Sequence, residues 1–165
     1  MLKTKIYASF SALYLLFIAL SIGLILASAF SASVVFRGAS LAEGLDITLF
    51  QSGILMTQIF IKVNFLLNIL ALLILIYELI TLQTTRQKFI PLLGFINAIL
   101  ILLFTLYYTP YIIEAQTIGE SAIETLEFNQ MHQQSELVFK TLLITLILLF
   151  FTRFFGIFNS VCKGK

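Results

Sequence analysis

Four long apolar runs, separated by short polar interruptions, divide the chain. The first covers Ile6 to Phe36, 31 residues without a charged side chain. As a helix it would measure ~46 Å, whereas a hydrocarbon core needs only about 20 residues. The second run is expected to start near Thr48 or Leu49 and to reach about Leu82, interrupted by Lys62 and Glu78. The third, Phe89 to Ile113, carries Pro91 where a helix start tolerates proline and Pro110 where a helix kinks or ends. The fourth starts between Ser121 and Gln134 and runs to about Val161. The pattern predicts one domain with spans at 6–36, 49–82, 89–113 and 131–161. A cleaved leader is the rival reading of the first run, since Ala27-Ser28-Ala29 has the small residues of a cleavage site. That run is far longer than the about 7 to 15 residues of a secretory apolar region, so it is read as a span.

Composition strengthens this reading. The chain has 165 residues, 60% hydrophobic and 11% charged, with mean hydropathy +1.05. Soluble domains carry about 25% charged residues, so an ordinary soluble fold is excluded. The net charge is only +2, and the basic residues sit at the ends of apolar runs rather than on a basic face, which argues against nucleic acid as a partner. One cysteine, Cys162, allows neither an intramolecular disulfide nor a cysteine-rich metal site.

Charge also sets an expected orientation. Lys3, Lys5, Arg86, Lys88, Lys163 and Lys165 fall on one side of the four runs, and the acidic loops with Glu43, Asp46, Glu114, Glu120, Glu124 and Glu127 fall on the other. Basic loops stay cytoplasmic, so both termini are expected in the cytoplasm of a bacterium and the acidic loops in the periplasm. Measured from the cytoplasmic side, the first two helices overshoot the outer leaflet, and the bundle is expected to project beyond it. The expected fold is all-α, an integral four-helix membrane bundle.

Polar residues within the runs are the candidates for chemistry. His132, Glu136 and Lys140, at i, i+4 and i+8, form one helical stripe, and Gln51, Gln58 and Lys62 share another face. With Arg37 and Ser135 these residues lie near the outer leaflet, and if the two faces meet they line a polar mouth. Arg37, Lys62 and Lys140 would there hold an anionic small molecule or lipid headgroup, and His132 with Glu136 would orient it or titrate. Lys140 and Arg153 are 13 residues apart, too close to reach opposite interfaces unless their side chains stretch outwards. The other solution holds one of them inside, with Glu136 the local partner for Lys140 and Glu78 a distant one for Arg153. Lys62 and Glu78 bracket most of a core and could snorkel to opposite interfaces, while Asn64 and Asn68 can bond a neighbouring helix. Ala19, Gly23, Ala27 and Ser31 form a small-residue ridge for close helix approach, read first as packing within the bundle.

Other chemistry has less to build on. Met56, Met131 and His132 are soft donors that suit copper, but Met131 and His132 are adjacent and point different ways. The single histidine leaves a bis-histidine haem without its second ligand, and no cofactor is expected. Nucleophile-elbow, zinc-protease and phosphate-loop motifs are all missing, and Ser135 near His132 lacks an orienting acid, so catalysis is disfavoured. Beyond the bilayer, the expected partners are a further copy of the chain or a larger membrane complex in which it is a subunit or assembly factor.

The segments VVFRG at Val34 to Gly38, FQSGILMTQIFIKVN at Phe50 to Asn64, TPYIIEAQ at Thr109 to Gln116 and HQQSELVFK at His132 to Lys140 resemble the bacterial membrane family called domain of unknown function 4149. That family is itself similar to the eukaryotic transmembrane protein 205 type. The resemblance covers about Ile6 to Phe155 and implies four spans with polar residues gathered at one end, namely Phe36, Arg37, Gln51, Gly53, Gln58, Lys62, His132, Ser135 and Lys140. It implies no settled activity, although the eukaryotic kin are associated with drug resistance and secretion, which keeps transport as the first class. One departure is the lack of a proline in VVFRG, which removes the usual reason for a helix break before Arg37.

Overall fold

The computed structural model describes residues 2–38, 47–84 and 88–163, with side chains placed for 8–38, 47–84 and 88–159. Helix α1 is Leu2–Val35 and α2 is Leu49–Thr84. A third span is made of α3, Phe89–Leu103, a π-helical turn, Phe104–Tyr108, and α4, Thr109–Ile118. A single turn, α5, Glu120–Ile123, leads to α6, Leu126–Lys163. Four helices among the described residues are long and apolar enough to cross a membrane: Ala8–Val35, Leu49–Thr84, Phe89–Ile118 and Leu126–Asn159. At 34, 36, 30 and 38 residues, α1, α2, the third span and α6 measure about 51, 54, 45 and 57 Å, all longer than a ~30 Å hydrocarbon core. The basic flanks Lys3, Lys5, Arg86, Lys163 and Lys165 and the acidic Glu43 and Asp46 lie outside the described side chains.

The order in which residues are buried explains how the helices pack. On α1 the buried positions are Ser11, Tyr14, Ile18, Ser21, Ile25 and Ser28, alternating by three and four. On α2 Met56, Val63, Leu70 and Tyr77 recur every seven, with Leu67, Ile74 and Thr81 between them; on α6 the series are Ser135, Leu142, Leu149 and Phe139, Leu146, Arg153. A seven-residue repeat on a 3.6-residue helix drifts, and helices that keep it wind around one another with left-handed, near-parallel packing. Here α1 packs on α2, α2 on the third span, the third span on α6, and α6 on α1, closing a ring. Helices α2 and α6 therefore face each other across the core, where Phe60 meets Phe139 edge to face at 5.3 Å. The start of α1 and the end of α6 lie at one end of the bundle, the terminal end; the opposite end is called the far end.

Three helix boundaries have local causes. The turn that ends α1 falls at Phe36 and Arg37, where the Arg37 N–H reaches back to Val34 at 3.1 Å, so the helix stops before Arg37 without a proline. Helix α2 opens on a reciprocal cap: the Thr48 N–H donates to Gln51 Oε1 at 3.1 Å, and the Gln51 N–H to Thr48 Oγ1 at 3.2 Å. Pro110, expected to kink or end its helix, instead sits one residue past the π turn, and the helix continues to Ile118. A proline supplies no N–H and presses on the carbonyl four residues back, here Leu106. The wide turn loosens the ladder at that place, with the Thr109 N–H bonded to Phe104.

Candidate functional site: a buried ion-pair cluster and an outward polar stripe

Glu78 is the least expected residue of the core. It has no exposed surface, and Arg153, 8% exposed, crosses from α6 to meet it. Arg153 Nη2 pairs with Glu78 Oε2, and its Nε donates to Oε1 at 3.1 Å, a two-point fork matched to the carboxylate. The Tyr14 hydroxyl of α1 adds a third donor to Oε1 at 2.7 Å. Tyr14 stacks on Tyr77 with ring centroids 4.1 Å apart, and the guanidinium carbon of Arg153 lies 5.2 Å from the centre of the Tyr77 ring. The Tyr77 hydroxyl is 3.0 Å from Ser11 Oγ, which completes the cluster.

Gly94 makes room for it. A Cβ at this position on α3 would overlap the Glu78 side chain, coming within 2.8 Å of its carboxyl carbon. All four spans thus contribute: Ser11 and Tyr14, Tyr77 and Glu78, Gly94, and Arg153. The alternative in which Lys140 and Arg153 both stretch outwards does not hold for Arg153, nor does snorkelling of Glu78. A fully buried carboxylate and a guanidinium satisfy each other, which neither could do with hydrocarbon.

Two smaller amide sites tie the spans together. Asn97 of α3, without exposed surface, donates to the Leu93 carbonyl at 2.9 Å and accepts the Thr145 hydroxyl of α6 at 2.8 Å. Asn64 of α2 donates to Thr109 at 2.9 Å, and Asn68 accepts from Thr105 at 2.8 Å, so both reach the neighbouring helix as their spacing suggested. Both bonds land on the π turn or its edge.

The far end gathers most of the sequence candidates but turns them outwards. Arg37, Gln51, Gln58, Lys62, His132, Glu136 and Lys140 are all exposed. Glu136 is the hinge of its stripe, with His132 Nε2 at 3.4 Å from Oε1 and Lys140 Nζ donating to Oε2 at 2.8 Å. The His132 ring lies parallel to Phe128 at 5.9 Å, which fixes its plane. Ser135 faces the core instead and donates its hydroxyl to the His132 carbonyl at 2.7 Å, so it is not aimed at the imidazole. The stripe on α2 and the stripe on α6 sit on helices that are diagonal in the bundle, and their side chains are exposed rather than gathered into one pocket. Met56 is buried while His132 is exposed, and no group of three His, Cys, Asp or Glu among the described residues could hold a metal.

The small-residue ridge also faces out. Ala19, Gly23 and Ala27 are exposed, and a Cβ on Gly23 would meet nothing within 4 Å. Packing within the bundle uses the opposite face of α1, the seven-residue series of serines, Tyr14 and isoleucines.

Comparison with family models matched residues 9–121 to Domain of unknown function (DUF4149). The chain belongs to the DUF4149 family. The match takes in α1 through the start of α5 and so contains Tyr14, Glu78, Gly94 and the π turn. It ends before α6, leaving His132 to Lys140 and Arg153 beyond the matched DUF4149 region. Neither curated proteins nor solved structures gave a match.

Of the residues that shape the interior, Glu78 and Arg153 were visible in the sequence as charges inside apolar runs. Tyr14, Tyr77, Gly94 and Asn97 were missed. For Tyr77 the signal was the seven-residue register: aligning the series on α1, α2 and α6 sets the polar residues Ser11, Tyr77 and Arg153 on inward positions.

Proposed function

We propose that this DUF4149 protein is a binding or transport-related protein of a bacterial inner membrane that engages an anionic headgroup or small anion at its far end. In this reading the far end is periplasmic, both termini are cytoplasmic, and the helix lengths carry the bundle past the outer leaflet. The basic residues beside the terminal end support the orientation. Kinship to the transmembrane protein 205 type would place it among proteins connected with export. The observation that carries the function is a contrast: Glu78 and Arg153 towards the terminal end saturate each other inside the bundle, whereas Lys62, His132, Glu136 and Lys140 of the far end point outwards. Lys62 is exposed with no carboxylate partner among the described residues, and Lys140 shares its carboxylate with His132. Cations presented this way at a membrane boundary recruit phosphate-bearing ligands.

Native mass spectrometry of gently extracted protein tests this reading. The wild-type chain is expected to retain phosphatidylglycerol in preference to phosphatidylethanolamine, and Arg37→Ala/Lys62→Ala/Lys140→Ala to lose about tenfold of that preference. Equal retention by both proteins would overturn it.

A second reading makes the chain a subunit or assembly factor of a larger membrane complex. The outward ridge of Ala19, Gly23 and Ala27 favours it, since small residues let a foreign helix approach closely. Gly23→Leu would then release partner chains that co-purify with the wild type while leaving the fold intact. Unchanged co-purification would count against it.

A further inference from the structure

The seam between α2 and the third span carries a polar group that the bundle only half satisfies. Asn68 is exposed, and its Oδ1 accepts the Thr105 hydroxyl at 2.8 Å. No described residue accepts from its Nδ2 group. Around it the surface is apolar: Phe65 and Leu72 on α2, Leu102 and Leu106 on the third span, all exposed.

Depth decides what can cover that amide. From Lys62 to the end of α2 at Thr84 is about 33 Å of helix, close to a ~30 Å hydrocarbon core. Asn68 lies six residues inside Lys62, about 9 Å below that boundary. Ester carbonyls sit at the boundary and acyl chains offer no acceptor, so a lipid leaves two N–H bonds unmade in hydrocarbon, which is costly.

We propose that Asn68 is the centre of a homodimer interface within the membrane. A second copy related by a two-fold axis along the membrane normal carries its own Asn68 at the same depth, which no other partner is obliged to do. Each Nδ2 then donates to the other copy's Oδ1, whose second lone pair is left over after Thr105. The contact is self-complementary, as a two-fold interface requires. Phe65, Leu72 and Leu106 close around it and exclude lipid from the amide pair. This face is distinct from the small-residue ridge of α1 and does not depend on any ligand at the far end.

Cysteine crosslinking in membranes tests the proposal. In a Cys162→Ser background, Asn68→Cys is expected to form a disulfide-linked species of about twice the 18.6 kDa chain. Ile144→Cys, exposed on α6 away from the seam of α2 and the third span, is expected to stay at the mass of one chain. Because cysteine itself removes the amide, a second measurement uses single-molecule counting in vesicles diluted with lipid. There Asn68→Leu should need about tenfold higher density than the wild type to pair, in line with a lost pair of interhelical hydrogen bonds. Wild-type protein that stays monomeric at every density would overturn the proposal. So would equal crosslinking at Ile144→Cys, or an Asn68→Cys adduct with a different protein.

Discussion

A single carboxylate and a single guanidinium set the interior at the terminal end. Removing one partner leaves the other buried without compensation, which costs about 3 to 5 kcal/mol, more than the pair itself is worth. Arg153→Leu or Glu78→Leu alone is therefore expected to lower the thermal midpoint in detergent steeply, while Glu78→Leu/Arg153→Leu should lose less than the sum of the two. Additive losses would mean that the two side chains act independently. Gly94 and Gly23 make a matched pair of probes. Gly94→Ala forces a methyl onto Glu78 and is expected to cost about 1 to 3 kcal/mol, whereas Gly23→Ala enters open space and should be close to neutral. At this scale the sequence was partly legible. The 13-residue gap between Lys140 and Arg153 exposed a conflict with membrane thickness, and Glu78 was the one distant carboxylate able to resolve it. Nothing local distinguished Tyr14 from the other tyrosines, because its role depends on α1 lying beside the Glu78 face of α2.

The helices themselves were legible from hydrophobic run length, and their faces were not. When nearly every side chain is apolar, amphipathic contrast vanishes, and only the inward polar residues mark the buried face. Ser21 and Ser28, in register with Tyr14 on α1, did so, while the more conspicuous ridge of Ala19, Gly23 and Ala27 marked the outside. The π turn was equally hidden. Pro110 signalled a disturbance, but the structure absorbs it upstream by one wide turn, which rotates the helix beyond it by about one residue, or ~100°. The rotation brings Thr109 to Asn64 and places Ala115 in the core. Two changes separate these contributions. Asn64→Leu should cost about 1 kcal/mol, as for a typical interhelical hydrogen bond in a membrane. Inserting an alanine after Leu106, a second extra residue that the wide turn does not absorb, should cost more, because it turns the whole of α4 by ~100° away from α2. Thermal unfolding of the two variants in the same detergent compares them, and a milder effect from the insertion would show that the register of α4 against α2 is incidental.

Across the whole molecule, polar groups are divided by direction. At the terminal end Glu78, Arg153, Tyr14 and Ser11 are sealed between the four spans; at the far end Lys62, His132, Glu136 and Lys140 meet the surroundings. Charge and spacing located the far-end residues, but a shared pocket was expected there, and the diagonal placement of α2 and α6 separates the two stripes. Such a division supports a protein that holds itself together at one end and meets its ligand at the other. Its most direct test is solvent access, measured with a membrane-impermeant maleimide on single cysteines in a Cys162→Ser background. His132→Cys is expected to label rapidly from one side of intact membranes, the periplasmic side in the proposed orientation. Ser11→Cys, a near-isosteric change beside Tyr77, is expected to stay unlabelled from either side until the protein is denatured. Rapid labelling at Ser11→Cys, or protection at His132→Cys, would contradict the account.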